Sequence, residues 1–146
     1  MSGAAVRPSR PRLYFDTSVY LSVLLAEEGS GRLSADSEGA EVLSSVLLIL
    51  EARRNLIRLA REGTLSPAHY ATCIERVERD ADIFVLRDLT LDLCQSSVLP
   101  AIVTPRSLDL AHLRTALWFH RTAPIDRFVT LDVSQAHAAR ELGLPA

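Results

Sequence analysis

Lysine is missing from this chain: all 16 of its basic residues are arginine. That absence removes every mechanism needing a lysine amine, including the P-loop lysine and Schiff-base formation. Genomic base composition accounts for it more simply, so arginine richness alone carries no function. Cysteine is scarce too. Cys73 and Cys94 stand far apart, in no C-x-x-C and with no histidine at ligand spacing. Two buried reduced thiols are expected, rather than a disulfide framework or a zinc site. The longest apolar run, Val46 to Leu50, falls far short of the roughly 20 residues a membrane span needs. The opening MSGAAVRPSRPR has charge but no apolar h-region, which argues against a secretory signal and for a cytosolic protein. Internal repeats and low-complexity tracts are likewise lacking. A formal net charge of −2 supplies no basic footprint for nucleic acid.

What is there suits one globular domain. The chain has 146 residues and 48% apolar content. A chain of that size buries about two-thirds of its unfolded surface without staples. A loose tail is expected over residues 1–11 and a single domain over 12–146. Leu13–Asp16 reads as a short buried strand, followed by a helix from about Ser18 to Ala26. The segment Glu27–Gly39 is rich in Gly, Ser and acids and reads as a loop. A second strand is expected at Glu41–Ser44, then a helix from Ser45 to about Arg61 that stops at Gly63. Ser66-Pro67 combines a cap with proline at the first helical position and opens a helix to about Arg79. Asp82–Arg87 reads as a third strand and Thr90–Val98 as a helix ended by Pro100. Thr104-Pro105 repeats the cap signal, for a helix reaching His120. Arg127–Leu131 reads as a fourth strand, before a last helix from Ser134 to Leu142 with Gly143 at its end. Strands separated by helices imply a parallel sheet covered on both faces.

Such sheets bind ligands outside the carboxyl ends of their strands. Asp16 stands there after LYF, and Asp132 repeats the arrangement after FVTL. Helix capping is the rival explanation for each. Asp88 also follows a strand, and capping suffices for it. Glu51 follows VLLIL inside a helix and so projects from an apolar face, unless Arg53 or Arg54 pairs with it at the rim. Asp109, in SLDLAHL, is expected in the second turn of its helix, where the positive helix end alone favours an acid. Together the four have the logic of a metal site built from hard oxygens, which suits Mg²⁺ or Mn²⁺. Four acids around divalent ions describe metal-assisted phosphodiester hydrolysis.

DTSVYL, SSVLLILEARRNL, RSLDLAHLRTAL and RFVTLD, in this order and spacing, resemble the PIN-domain ribonucleases. The match is nearest to the VapC-type toxins of toxin–antitoxin pairs and covers Leu13 to Leu144. The resemblance implies a three-layer α/β/α sandwich whose parallel sheet of four or five strands runs in the order 3-2-1-4-5. The chain's end at Leu144-Pro145-Ala146 leaves little room for the fifth. It implies that Asp16, Glu51, Asp109 and Asp132 are the catalytic and metal-binding acids, with Ser18 and Thr130 as supporting hydroxyls. It also implies Mg²⁺ or Mn²⁺ as cofactor, RNA as substrate, a cognate antitoxin as partner, and a homodimer. His112 reads as a packing or supporting residue. Trp118 and Phe119 read as core, and Asp126 as a structural acid at the opposite sheet edge. Arg53, Arg54, Arg106 and Arg114 are the arginines nearest the motifs. A PIN nuclease of RNA processing, or a PIN fold kept as a weakly catalytic binding module, are the alternatives. A phosphoacceptor receiver domain fits less well, since it uses paired acids near its first strand and a late lysine.

Overall fold

A computed structural model describes residues 9–27, 29–95, 102 and 106–146. Four strands, β1 (Arg12–Phe15), β2 (Glu41–Ser45), β3 (Val85–Arg87) and β4 (Arg127–Val129), form one parallel sheet in the order β3-β2-β1-β4. Between and after them run α1 (Thr17–Leu24), α2 (Ser30–Glu38), α3 (Leu47–Arg61), α4 (Pro67–Ile83), α5 (Leu91–Gln95), α6 (Ser107–Thr122) and α7 (Val133–Glu141).

The alternation of side chains along each strand decides the layering. Leu13, Phe15, Val42 and Val129 point into one core, with Val19 of α1, Leu48 and Leu56 of α3, and Val77 of α4. Their neighbours Tyr14, Leu43 and Phe128 point the other way, against Leu113 and Leu117 of α6 and Ala138 and Ala139 of α7. With both faces covered, the central strands bury consecutive positions, as parallel strands usually do: Leu13–Phe15 in β1 and Val42–Ser45 in β2. The α/β/α sandwich and the parallel sheet expected from the sequence are therefore present. Among the described residues the sheet has four strands, the smaller of the two numbers allowed, and beyond β4 a Pro145 carbonyl accepts from the Phe128 N–H at 2.7 Å.

Several boundaries differ from the sequence expectation. The segment expected as a loop, Glu27–Gly39, contains α2, because Gly29 takes a left-handed turn (φ 80°) that lets Ser30 bury and Leu33 pack on the core. Tertiary packing overrides the weak local preference there. The helix from Pro67 runs to Ile83 rather than Arg79, which shortens β3 to Val85–Arg87. Its extra turn is anchored by Asp80, 6% exposed, which accepts from Tyr20 Oη at 2.9 Å and Arg76 Nε at 3.1 Å. β4 ends at Val129, two residues early. The expected helix at Thr90–Val98 starts at Leu91, and residues 96–98, with Pro100 and the Thr104-Pro105 cap, lie outside the described residues. So do residues 1–8 of the expected tail. Cys94 is exposed, contrary to expectation, while Cys73 is buried. Trp118 is half-exposed and carries the Arg87 guanidinium over its ring at 4.5 Å, so only Phe119 joins the core as expected.

The buried Asp80 makes a stability prediction. Tyr20→Phe deletes one donor to a carboxylate that water barely reaches, and such a loss costs about 1–3 kcal/mol. Urea unfolding should show a lower midpoint for that variant. An unchanged midpoint would mean that the Tyr20–Asp80 bond contributes nothing net.

Candidate active site

The chain leaves β1 toward β2 and β3 on one side and returns to β4 on the other. The crevice of such a sheet therefore opens at the carboxyl ends of β1 and β4. Phe15 pairs with Val129, so Asp16 and Thr130 leave the sheet level with each other. Their turns are stitched together. Asp16 Oδ1 accepts from Ser18 Oγ at 2.6 Å, and Asp16 Oδ2 accepts from Thr130 Oγ1. Ser18 Oγ in turn accepts from the Leu131 N–H at 3.1 Å, and Thr130 Oγ1 from the Asp132 N–H at 3.1 Å. Ser18 and Thr130, the two hydroxyls singled out in the sequence, thus fix the Asp16 carboxylate.

Capping, the rival explanation, also holds for both aspartates. Asp16 Oδ1 accepts from the Val19 N–H at 3.3 Å, at the start of α1. Asp132 Oδ1 accepts from the Ser134 and Gln135 N–H groups at 2.8 and 3.2 Å, at the start of α7. Capping and a functional role are compatible here. Asp132 is exposed and spends only one oxygen on its cap, whereas Asp16 is 6% exposed with both oxygens engaged.

Asp109 lies in the first turn of α6 instead of the second, because the described helix begins at Ser107. Its main chain is tied to α7 by Gln135, whose Nε2 donates to the Asp109 carbonyl at 3.0 Å. Partial burial raises the Asp109 pKa above the ordinary carboxylate value. Arg106 opposes that rise, the carboxylates of Asp132 and Asp16 add to it, and His112 opposes it. Three acids from three elements therefore share one electrostatic neighbourhood.

Glu51 is not paired with Arg53 or Arg54, the alternative raised by the sequence; Arg53 bonds Glu78 at 3.2 Å instead. Glu51 Oε1 accepts from Thr17 Oγ1 at 2.9 Å and lies 2.9 Å from His112 Nε2. His112 is 3% exposed, and its Nδ1 sits 2.8 Å from Tyr14 Oη. Sequence reasoning missed Tyr14 and Thr17 in this role. Thr17 adjoins Asp16, and the one polar residue of the run LAHLR that turns inward is His112, but nothing in the sequence joins these to Glu51. Arg114 Nη1 donates to the Leu93 carbonyl at 3.2 Å. Asp126 is structural as expected, accepting from the Arg12 N–H at 2.7 Å.

No protein-family model matches this chain, and neither does any curated protein. Among the described residues, no three His, Cys, Asp or Glu side chains stand together as a ready metal-ligand group. The donor chemistry nevertheless fits a hard divalent ion. Mg²⁺ is commonly held by one or two carboxylates with the remaining positions filled by water and substrate phosphate. Asp132 and Glu51 each keep one oxygen that no described donor engages, and burial, with a smaller repulsion from Asp132 and Asp16, disfavours ionised Asp109. A cation would relieve that repulsion.

Proposed function

We propose that this chain is a Mg²⁺- or Mn²⁺-dependent endoribonuclease of the PIN type, acting as the toxin of a toxin–antitoxin pair. One observation carries the proposal: Asp16 directly follows β1, Asp132 caps α7 three residues beyond the adjacent β4, and Asp109 feels the charge of both. Asp16, Glu51, Asp109 and Asp132 would hold the ion. When bound, it supplies positive charge that acidifies water and offsets charge on the scissile phosphate. The protein's part is positional. Ser18 and Thr130 keep Asp16 from turning, and the α7 N–H groups do the same for Asp132. Such preorganisation removes reorganisation cost from the reacting geometry. No side chain need serve as a strong general base.

Exposed apolar residues adjoin these acids in sequence: Leu50 before Glu51, Leu108 before Asp109, and Leu131 and Val133 on either side of Asp132. Apolar groups left in water beside a charged site suit a surface that other molecules cover. RNA, the antitoxin and a second copy of the chain are the partners proposed. Cleavage of a defined RNA should require Mn²⁺ or Mg²⁺ and stop in EDTA; cleavage unaltered by EDTA would remove the ion from the mechanism. A neighbouring reading frame for a small DNA-binding protein would separate toxin from RNA-processing nuclease. A second reading, a PIN fold that binds RNA with little catalysis, is favoured by the spacing of the acids, which among the described residues form no ready ligand group. Metal-independent RNA binding without cleavage would favour it.

A further inference from the structure

Tyr14 and His112, both buried and neither used by the proposed reaction, form a polar chain with the partly buried Glu51. It crosses the sheet's α6 side to reach Glu51 on α3, and each link is of hydrogen-bond length, 2.8 Å and 2.9 Å. An ionised Glu51 can only accept, so the proton facing it must sit on His112 Nε2. In the neutral ring Nδ1 is then an acceptor, filled by the Tyr14 hydroxyl. Burial holds that phenol firmly in its protonated, donating form. Thr17 Oγ1 also lies 3.2 Å from His112 Nε2, but with that nitrogen protonated it can only accept there, and its one hydroxyl proton goes to the same Glu51 oxygen at 2.9 Å. Both donors therefore converge on Oε1. Among the described residues none donates to Oε2.

We propose that His112 is the positioning residue of Glu51: with Thr17 it saturates Oε1 and leaves Oε2 as the oxygen presented to a cation. Tyr14 sets the ring's tautomer and orientation. The inference rests on the metal-dependent reading above. Outer partners of this kind, donors that orient a ligand without touching the metal, typically govern affinity by about 10–100-fold.

Mn²⁺ binding to the full chain without RNA, followed by titration calorimetry at one neutral pH, tests it. His112→Leu should weaken binding by at least about tenfold. His112→Gln, whose amide nitrogen takes the place of Nε2, should return affinity to within about threefold of wild type. Tyr14→Phe should weaken binding about threefold or more. Its ring keeps its 5.3 Å stacking on Phe128, so this variant tests the chain of donors even if His112→Leu does not fold. Wild-type affinity in a folded His112→Leu or in Tyr14→Phe overturns the inference alone, as does His112→Gln binding no better than His112→Leu. A wild-type chain that binds no Mn²⁺ overturns the metal reading itself and this inference with it.

Discussion

Asp16→Asn is expected to reduce RNA cleavage by at least about a hundredfold, the scale on which preorganised electrostatic groups act, while leaving the fold intact. The geometry allows these two effects to be separated. Asparagine caps helices as well as aspartate does, so its side-chain oxygen can still accept from the Val19 N–H and from Ser18 Oγ. Its amide would face Thr130 Oγ1, a hydroxyl able to reverse its role and accept. What disappears is the negative charge at the crevice. Asp16→Ala, by contrast, loses the cap as well and should cost about 1 kcal/mol or more of stability. Asp88→Asn is the control. Asp88 is exposed and follows the edge strand β3, two strands from β1, or about 9–10 Å across the sheet. Its activity should stay near wild type. The assignment would fail if Asp16→Asn cut well, or if it was inactive only because it unfolded while Asp88→Asn abolished cleavage.

Asp109→Asn should raise the melting temperature of the metal-free protein at neutral pH yet remove most of its response to Mn²⁺. The sign follows from the direction of the shift. Burial and the carboxylates of Asp132 and Asp16 place the folded-state pKa of Asp109 above its unfolded value, against the opposing pull of Arg106 and His112. Folding thus favours the protonated form, and ionised Asp109 subtracts from stability at every pH above its raised pKa. The penalty fades as pH falls through that value toward the ordinary carboxylate value of about 3.9, and below both it is gone. The advantage of Asp109→Asn in EDTA should shrink correspondingly on acidification. Metal binding runs the other way, because protons compete for the same oxygens. At a hundredfold excess of free Mn²⁺ over its Kd, wild type should gain about 2.7 kcal/mol, or roughly 5–10 °C in Tm. Differential scanning fluorimetry from pH 4 to 8, with and without Mn²⁺, measures both. Equal Mn²⁺ shifts in the two proteins, or a variant less stable in EDTA, would remove Asp109 from the acidic group.

The sequence by itself determined the parts whose signals are local. Apolar runs bounded by helices dictated a parallel sheet with two covered faces, since nothing else buries strands such as RLYF and EVLSS at alternating positions on both sides. Ser66-Pro67 and Gly63 marked real helix ends because capping depends only on neighbouring backbone groups. The place of Asp16 directly after β1 was legible for the same reason, whereas Asp132, read as ending its strand, stands three residues past β4 as the cap of α7. Tertiary structure alone decided the rest. α2 forms from a segment of poor helical signal because Leu33 and Ser30 find a place against the core. α4 outlasts its sequence signal because Tyr20, 60 positions away, bonds Asp80. Glu51, whose surroundings suggested an arginine at the rim, is instead held by Thr17 and His112, 34 and 61 positions distant. A hydrogen bond between residues so far apart leaves no periodicity in the chain. It exists only once the sheet has brought α1, α3 and α6 together.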